Sequence, residues 1–346
     1  MAFDEISIIA LYSAMAVYAL AFIAFAIDLA KRSAVVGAVQ DAAAAEAAAL
    51  AAGTTAGGAA GAVASGGGST TVLTAPAAPS AAAKRVGLGS VEYGRSPVLR
   101  VAMALTVVAW ALHLTADVLR GIAAERVPWA NMYEFAMTGT LVMVTVFLIV
   151  NIKFDLRFLG TFVTGMVLVL LGLATVNFYV SVVPLPPSLQ SAWLIIHVFV
   201  ASSATGFMAL GFGLSVVQLM QARREAQAEG ARSKATRFLG TLPSSEKLES
   251  LAYRVNIVGF ILWTFTVMAG AVWAEAAWGR YWGWDTKEVW SFIIWVIYAG
   301  YIHARATRGW RGSRSAWLSI IGFTAILFNY SVVNLFFKGL HAYSGL

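Results

Sequence analysis

Long unbroken apolar runs alternate along the chain with short stretches that hold most of its charge. Eight runs reach the roughly 20 residues needed to cross about 30 Å of hydrocarbon. They lie near Ile6–Ala30, Pro97–Leu119, Met132–Ile152, Phe158–Val182, Ala192–Met220, Val255–Ala277, Val289–Arg305 and Ala316–Phe336. The seventh is short for a span. None shows the two-residue alternation of a lipid-facing strand. The pattern therefore predicts an all-α integral membrane protein, a polytopic bundle of about eight transmembrane helices.

The connections set the expected orientation. Lys31 and Arg32, Lys153 and Arg157, the Arg223–Arg254 loop, and Arg305, Arg308, Arg311 and Arg314 all fall on one side of such a bundle. By the positive-inside rule that side is cytoplasmic. Both termini, the Gly121–Asn131 and Pro184–Ser191 loops, and the segment before Val289 are then external. The first run is expected to be a retained helix rather than a cleaved leader, because Asp4 and Glu5 precede it and no basic region does.

Three regions result. Residues 1–30 form a first transmembrane helix. Residues 31–96 are rich in Ala, Gly, Ser and Thr, with Pro76 and Pro79, and bury too little surface to offset the entropy of ordering. They are expected to be a flexible cytoplasmic linker, within which Ala42–Ala52 is a candidate transient helix. Residues 97–346 form a seven-helix core with an external loop at 273–291. The Gln221–Arg254 loop is charged and expected to be partly helical.

Composition agrees. With 60% hydrophobic and 12% charged residues, and a mean hydropathy of +0.76, the chain is outside the range of soluble domains. Its net charge of +7 resides in the loops and reads as topogenic rather than nucleic-acid-binding. The absence of cysteine excludes thiol–disulfide chemistry and any thioether formed by the chain itself. A redox thiol would have to come from a partner.

The candidate chemistry concentrates in Trp278-Gly-Arg-Tyr-Trp-Gly-Trp-Asp-Thr-Lys-Glu-Val-Trp290, where four tryptophans fall within thirteen residues, with Trp295 beyond. An interfacial aromatic belt accounts for one or two. Four, on a glycine-loosened backbone, suit a flat apolar platform for a large planar ligand. Asp285 and Glu288 are candidates to cap the following helix, to bond a histidine or to orient an indole N–H. Arg280 and Lys287 are placed to neutralise ligand carboxylates, or are plain interfacial charge.

Of the four histidines, His197 and His341 fall at the external level of this platform. They are either interfacial polar residues or a pair of axial ligands for a haem iron. His303 lies toward the cytoplasmic end of the seventh run beside Arg305, as a capping residue or a functional intramembrane group. His113 has Asp117 at i+4 on one helix face, and pairing with that carboxylate is the simpler reading. Asn131 and Glu134 form a capping-box pattern at the start of the third run, although Glu134 could also face a ligand chamber.

The motif from Trp278 through Trp290 resembles the WWD domain of the haem-handling family whose types are CcsA (ResC), CcmC and CcmF. The likeness extends less sharply over about residues 97–346. Modest length and the position of His341 just after the last run favour the CcsA type. The resemblance implies a membrane component of the system II cytochrome c synthase, which presents haem b, bound non-covalently, for attachment to the Cys-X-X-Cys-His motif of apocytochrome c. It implies Trp278, Trp282, Trp284, Asp285, Trp290, Arg280 and Lys287 at the haem platform, His197 and His341 on the iron, and His303 as a transient iron ligand within the membrane. Implied partners are a CcsB/ResB-type membrane protein, apocytochrome c and a thiol reductant, in the cytoplasmic membrane with the haem site facing outward. Any attachment activity would need the CcsB/ResB partner. A haem exporter, or a CcmC-like haem-loading protein without attachment activity, is the alternative.

Overall fold

The computed structural model describes residues 3–57, 96–185, 189–227, 234–307, 310–337 and 339–341. Within them eight main helices run up and down: α1 (Phe3–Gly57), α2 (Pro97–Ala124), α3 (Met132–Lys153), α4 (Gly160–Asn177), α5 (Ala192–Glu225), α6 (Ser245–Trp278), α7 (Thr286–Ala306) and α8 (Ser313–Phe328). A π turn at Asn329–Val333 and a last helical turn at Asn334–Phe336 extend α8. Among the described residues there is no strand, and the chain is an all-α, multi-pass membrane protein.

Among the described residues seven helical segments are long and apolar enough to cross a membrane. The seventh expected span, Val289–Arg305, does form α7, but its apolar residues are interrupted by Trp295, Tyr298, Tyr301 and His303, and it falls outside that set. A larger departure concerns the expected linker. The first helix does not stop near Ala30 but continues to Gly57. Alanine has the highest helix propensity, so an Ala-rich stretch that buries little can still be helical. The extension is also held from outside: Arg237, from the short 3₁₀ segment Lys234–Thr241, donates to Asp41 at 2.8 Å. The rest of the expected linker, from residue 58 to 95, lies outside the described residues. The Gln221–Arg254 connection is partly helical as expected, through the end of α5, the 3₁₀ segment and the start of α6.

Local sequence starts the helices where the pattern predicts. Ser96 caps α2 ahead of Pro97, whose missing N–H costs nothing at that position. Asn131 accepts from the Glu134 N–H at 2.9 Å and opens α3. Glu134 does not complete the reciprocal box at Asn131; its carboxylate takes the Ala130 N–H at 3.0 Å and two guanidinium groups. At α7 the box is complete: Asp285 receives the Glu288 N–H, and Glu288 receives the Asp285 N–H at 3.0 Å.

Ion pairs pin the two ends of the bundle. At one end Arg120, almost wholly buried, bonds Asp4 at 2.6 Å, Glu134 at 3.1 Å and the Val180 carbonyl at 2.7 Å, joining α1, α2 and α3 to the segment after α4. At the other end Glu249 forms an ion pair with Arg305 at 2.7 Å and accepts the Gly312 N–H at 3.0 Å, joining α6, α7 and the start of α8. The α5–α6 hairpin packs closely. A side chain at Gly211 would collide with the buried Asn256 amide, which donates to Ser319 at 2.9 Å. Small residues at such contacts let membrane helices approach closely.

Candidate functional site

A cavity of about 220 Å³ opens at the Arg120 end, between α5, α6, the α6–α7 loop and the π-turned end of α8. Both His197 and His341 line it. His197, in the second turn of α5, is held through Nδ1, 2.9 Å from the Thr266 carbonyl of α6. An added Cβ at Gly270 would approach its Cε1 to 2.7 Å, so the glycine makes the room in which the imidazole lies. His341, four residues beyond Phe337, is held through Nδ1, 2.8 Å from the Asp285 carboxylate. Carbonyl and carboxylate oxygens only accept, so each Nδ1 carries a proton, and in the neutral imidazole the lone pair is then on Nε2.

Trp273 is the wall between them. It is fully buried, stacks against His197 at 5.9 Å with 19° between planes, and meets His341 edge-on at 5.3 Å. Trp278 adds a second edge contact to His341 at 4.8 Å. Trp263, Thr266, Gly270 and Trp273 follow one another at helical spacing and present a single face of α6 to the cavity. Across from them stand Trp129, Asn329 and Tyr330. The buried Thr266 Oγ1 and Asn329 Oδ1 have no hydrogen-bond partner among the described residues.

The sequence motif divides between wall and support. Trp282 and Lys287 line the cavity. Trp278 touches its walls through Trp273. Trp290 packs on Phe328 at 4.4 Å, behind the site. Trp284 is 73% exposed, outside the cavity lining, with its ring against Trp282 and a left-handed φ of 62°. Arg280 lies over Gly283, where any side chain would displace it, and is 3.6 Å from the Glu288 carboxylate rather than in the cavity. His303 is exposed on α7, eighteen residues past Asp285 and so about 27 Å along the helix axis. His113 is fully buried in α2; its Nδ1 is 3.5 Å from the Tyr18 hydroxyl, while Asp117 accepts from Thr138 at 2.8 Å.

The site's charge is uneven. The hydrogen bond from His341 holds the Asp285 carboxyl below the usual carboxylate range, against a smaller opposing effect of burial. Lys287 sits in the first turn of α7, ahead of the apolar stretch, with no ion pair within 4 Å among the described residues. Burial pushes its ammonium down to about 8, and Asp285 partly restores it. The cavity thus combines aromatic walls, two imidazole lone pairs, orphan polar atoms and a cation outside any such ion pair. Those features fit an amphipathic, planar, anionic ligand that carries a metal: the ring has indole faces, the metal has nitrogen donors and a carboxylate has Lys287.

Trp273 was the principal residue that motif reading missed. It precedes the dense cluster, and only the α6 stripe with Gly270 would have singled it out. Arg120 and Arg126 were also missed; two arginines flanking an external loop run against the expected charge asymmetry, and that was their signal.

Fold and site together define a polytopic helical membrane protein with a histidine-flanked aromatic chamber at one end of its bundle. The cytochrome c assembly protein family model matches residues 129–341, which contain the whole chamber. The cytochrome c biogenesis protein CcsA of Guillardia theta is 34% identical over 240 residues, 66% of this chain and 80% of its own length. The CcsA proteins of Prochlorococcus marinus and of a Synechococcus species are 34% and 36% identical, covering 73% and 72% of this chain and 85% and 86% of theirs. The chain belongs to the cytochrome c assembly protein family.

Proposed function

We propose that the chain holds haem b non-covalently in the chamber, with His197 and His341 as iron ligands, and presents it for attachment to the Cys-X-X-Cys-His motif of apocytochrome c. Membership of the family ties the chain to cytochrome c maturation and to haem. The observation that carries the finer reading is that two imidazoles face one cavity, each with Nδ1 engaged by a fixed acceptor and Nε2 left over. In this reading the indoles of Trp273, Trp278 and Trp282 bury the ring and exclude water, while Lys287 meets a propionate. Arg280 and Trp290 act behind the cavity, through Glu288 and Phe328. Bound haem supplies the iron and the two vinyl groups, across each of which a substrate thiol adds, sulfur to one carbon and proton to the other. The addition needs no net redox change, so the chain's contribution is positioning.

The thiols must arrive reduced, and a chain without cysteine leaves that to a separate reductant. Attachment is proposed to require a CcsB/ResB-type membrane partner. The exposed His303, far from the chamber, suits a transient iron ligand shared with such a partner. The Lys and Arg asymmetry supports the cytoplasmic membrane as location, with both termini and the chamber outside.

The test is the purified complex of chain and partner, examined by absorption spectroscopy and by covalent haem in a co-expressed apocytochrome c. His197→Ala or His341→Ala is expected to change the haem spectrum and abolish the covalent product. Wild-type spectra and product in both variants refute the ligand assignment. Haem bound by the wild type without any covalent product supports the exporter or loading reading instead.

A further inference from the structure

The two imidazoles are held by unlike acceptors. His197 sits within a regular helix and gives its Nδ1 proton to a neutral backbone carbonyl. His341 lies beyond the last helical turn, so no helix fixes it. One carboxylate does so instead: Asp285 takes the Leu340 N–H on Oδ1 at 3.2 Å and the His341 Nδ1 on Oδ2 at 2.8 Å. A side chain at Gly339 would collide with Asp285 Oδ1, so the tail backbone lies directly on the carboxylate. Asp285 is itself fixed, because it also caps α7. We propose that Asp285 is the positioning residue of His341 and makes the two cavity imidazoles unequal donors, His341 the stronger and His197 the weaker.

The inference rests on the haem reading above. A charged acceptor on Nδ1 draws the proton toward itself and shifts electron density to Nε2; a peptide carbonyl does this much less. A stronger donor favours ferric over ferrous iron. Asp285 therefore has two separable effects. Its geometry brings His341 into the cavity, and its charge sets how strongly that imidazole donates. Asparagine keeps one acceptor oxygen, enough for His341 Nδ1, and loses the charge along with the acceptor for the Leu340 N–H, whereas alanine loses every acceptor.

The experiment uses the full chain with its partner, loaded with iron protoporphyrin IX and followed by absorption spectroscopy and potentiometric titration. Asp285→Asn is expected to keep the wild-type ligation spectrum and to raise the midpoint potential. A tenfold loss of ferric preference corresponds to about 59 mV for one electron. Asp285→Ala is expected to give the spectrum of His341→Ala and to weaken binding at least about tenfold, as loss of an outer-shell partner does. In a His341→Ala background, Asp285→Asn should move the potential no further. An unchanged potential in Asp285→Asn, or an equal shift with and without His341, overturns the proposal. Asp285→Asn retains the cap of α7, so the result stands even where the alanine variant does not fold. If His197→Ala and His341→Ala both leave the spectrum unchanged, it is the haem reading that fails.

Discussion

Replacing Glu134 with alanine removes the carboxylate on which one end of the bundle converges. Its two oxygens accept from Arg120 Nε at 3.1 Å, from both terminal nitrogens of Arg126 at 2.6 and 3.2 Å, and from the Ala130 N–H at 3.0 Å. Arg120 would keep Asp4 and the Val180 carbonyl. Arg126, only 9% exposed, would keep two carbonyl contacts at 3.3 and 3.4 Å. The loss is therefore dominated by one stranded guanidinium rather than by four hydrogen bonds summed. Breaking a buried pair in this way costs about 3–5 kcal/mol, and the lower end applies here because Arg120 is still neutralised. At roughly 2 °C per kcal/mol, the midpoint of thermal aggregation in detergent should fall by about 6 °C. Glu134→Gln, which keeps an acceptor, should lose about half as much. Adding Arg126→Met to the alanine variant should recover part of the loss, because the stranded charge goes with it. A fall of less than about 2 °C in Glu134→Ala, or a further fall on adding Arg126→Met, would refute the reasoning.

Two further outcomes follow from the chamber walls. Gly270→Ala places a methyl group 2.7 Å from His197 Cε1 and should push the imidazole off the Thr266 carbonyl. Affinity for iron protoporphyrin IX, measured by titration, should fall about tenfold or more while the helical circular dichroism stays at the wild-type level. Lys287 carries a proton below about 8 and loses it above. Binding of an anionic porphyrin should therefore weaken as pH rises through 8, and Lys287→Met should flatten that dependence. The sign for stability is opposite. Because burial lowers the folded-state value below that of free lysine, the cost of the buried ammonium is present below pH 8 and is relieved as pH rises toward about 10.4.

The helical membrane fold was legible because hydrocarbon thickness fixes the length of an apolar run and the serine, asparagine and aspartate caps mark where each helix begins. The α1 extension was legible only as the candidate helix at Ala42–Ala52; its continuity with the first span was not, because that depends on alanine propensity and on Arg237, almost two hundred residues away. Half the chamber could be read from the chain. Tryptophans, Asp285 and Lys287 announce themselves by rarity and spacing, and the scarcity of histidines narrows the ligand search to four. What could not be read is which motif residues face inward. Trp282 lines the cavity and Trp284 does not, because a left-handed backbone at Trp284 turns its ring away. Trp273 gains its place only when α5 and α6 come together.

The acceptors of the two imidazoles also set an order of assembly. His197 receives its partner, Thr266, from the neighbouring helix of one hairpin, so that half of the chamber exists as soon as α5 and α6 have inserted side by side. His341 lies 144 residues after His197 and finds Asp285 only once α7 and α8 have docked and the π turn has delivered the tail. During biosynthesis the chamber therefore passes through a stage with one imidazole in place and the other side open. Synthesis runs from the N-terminus, so the pair completed by α6 forms ahead of the pair that waits for the C-terminal tail. The last contact made, between the tail and Asp285, is the one that converts a half-built pocket into a closed one.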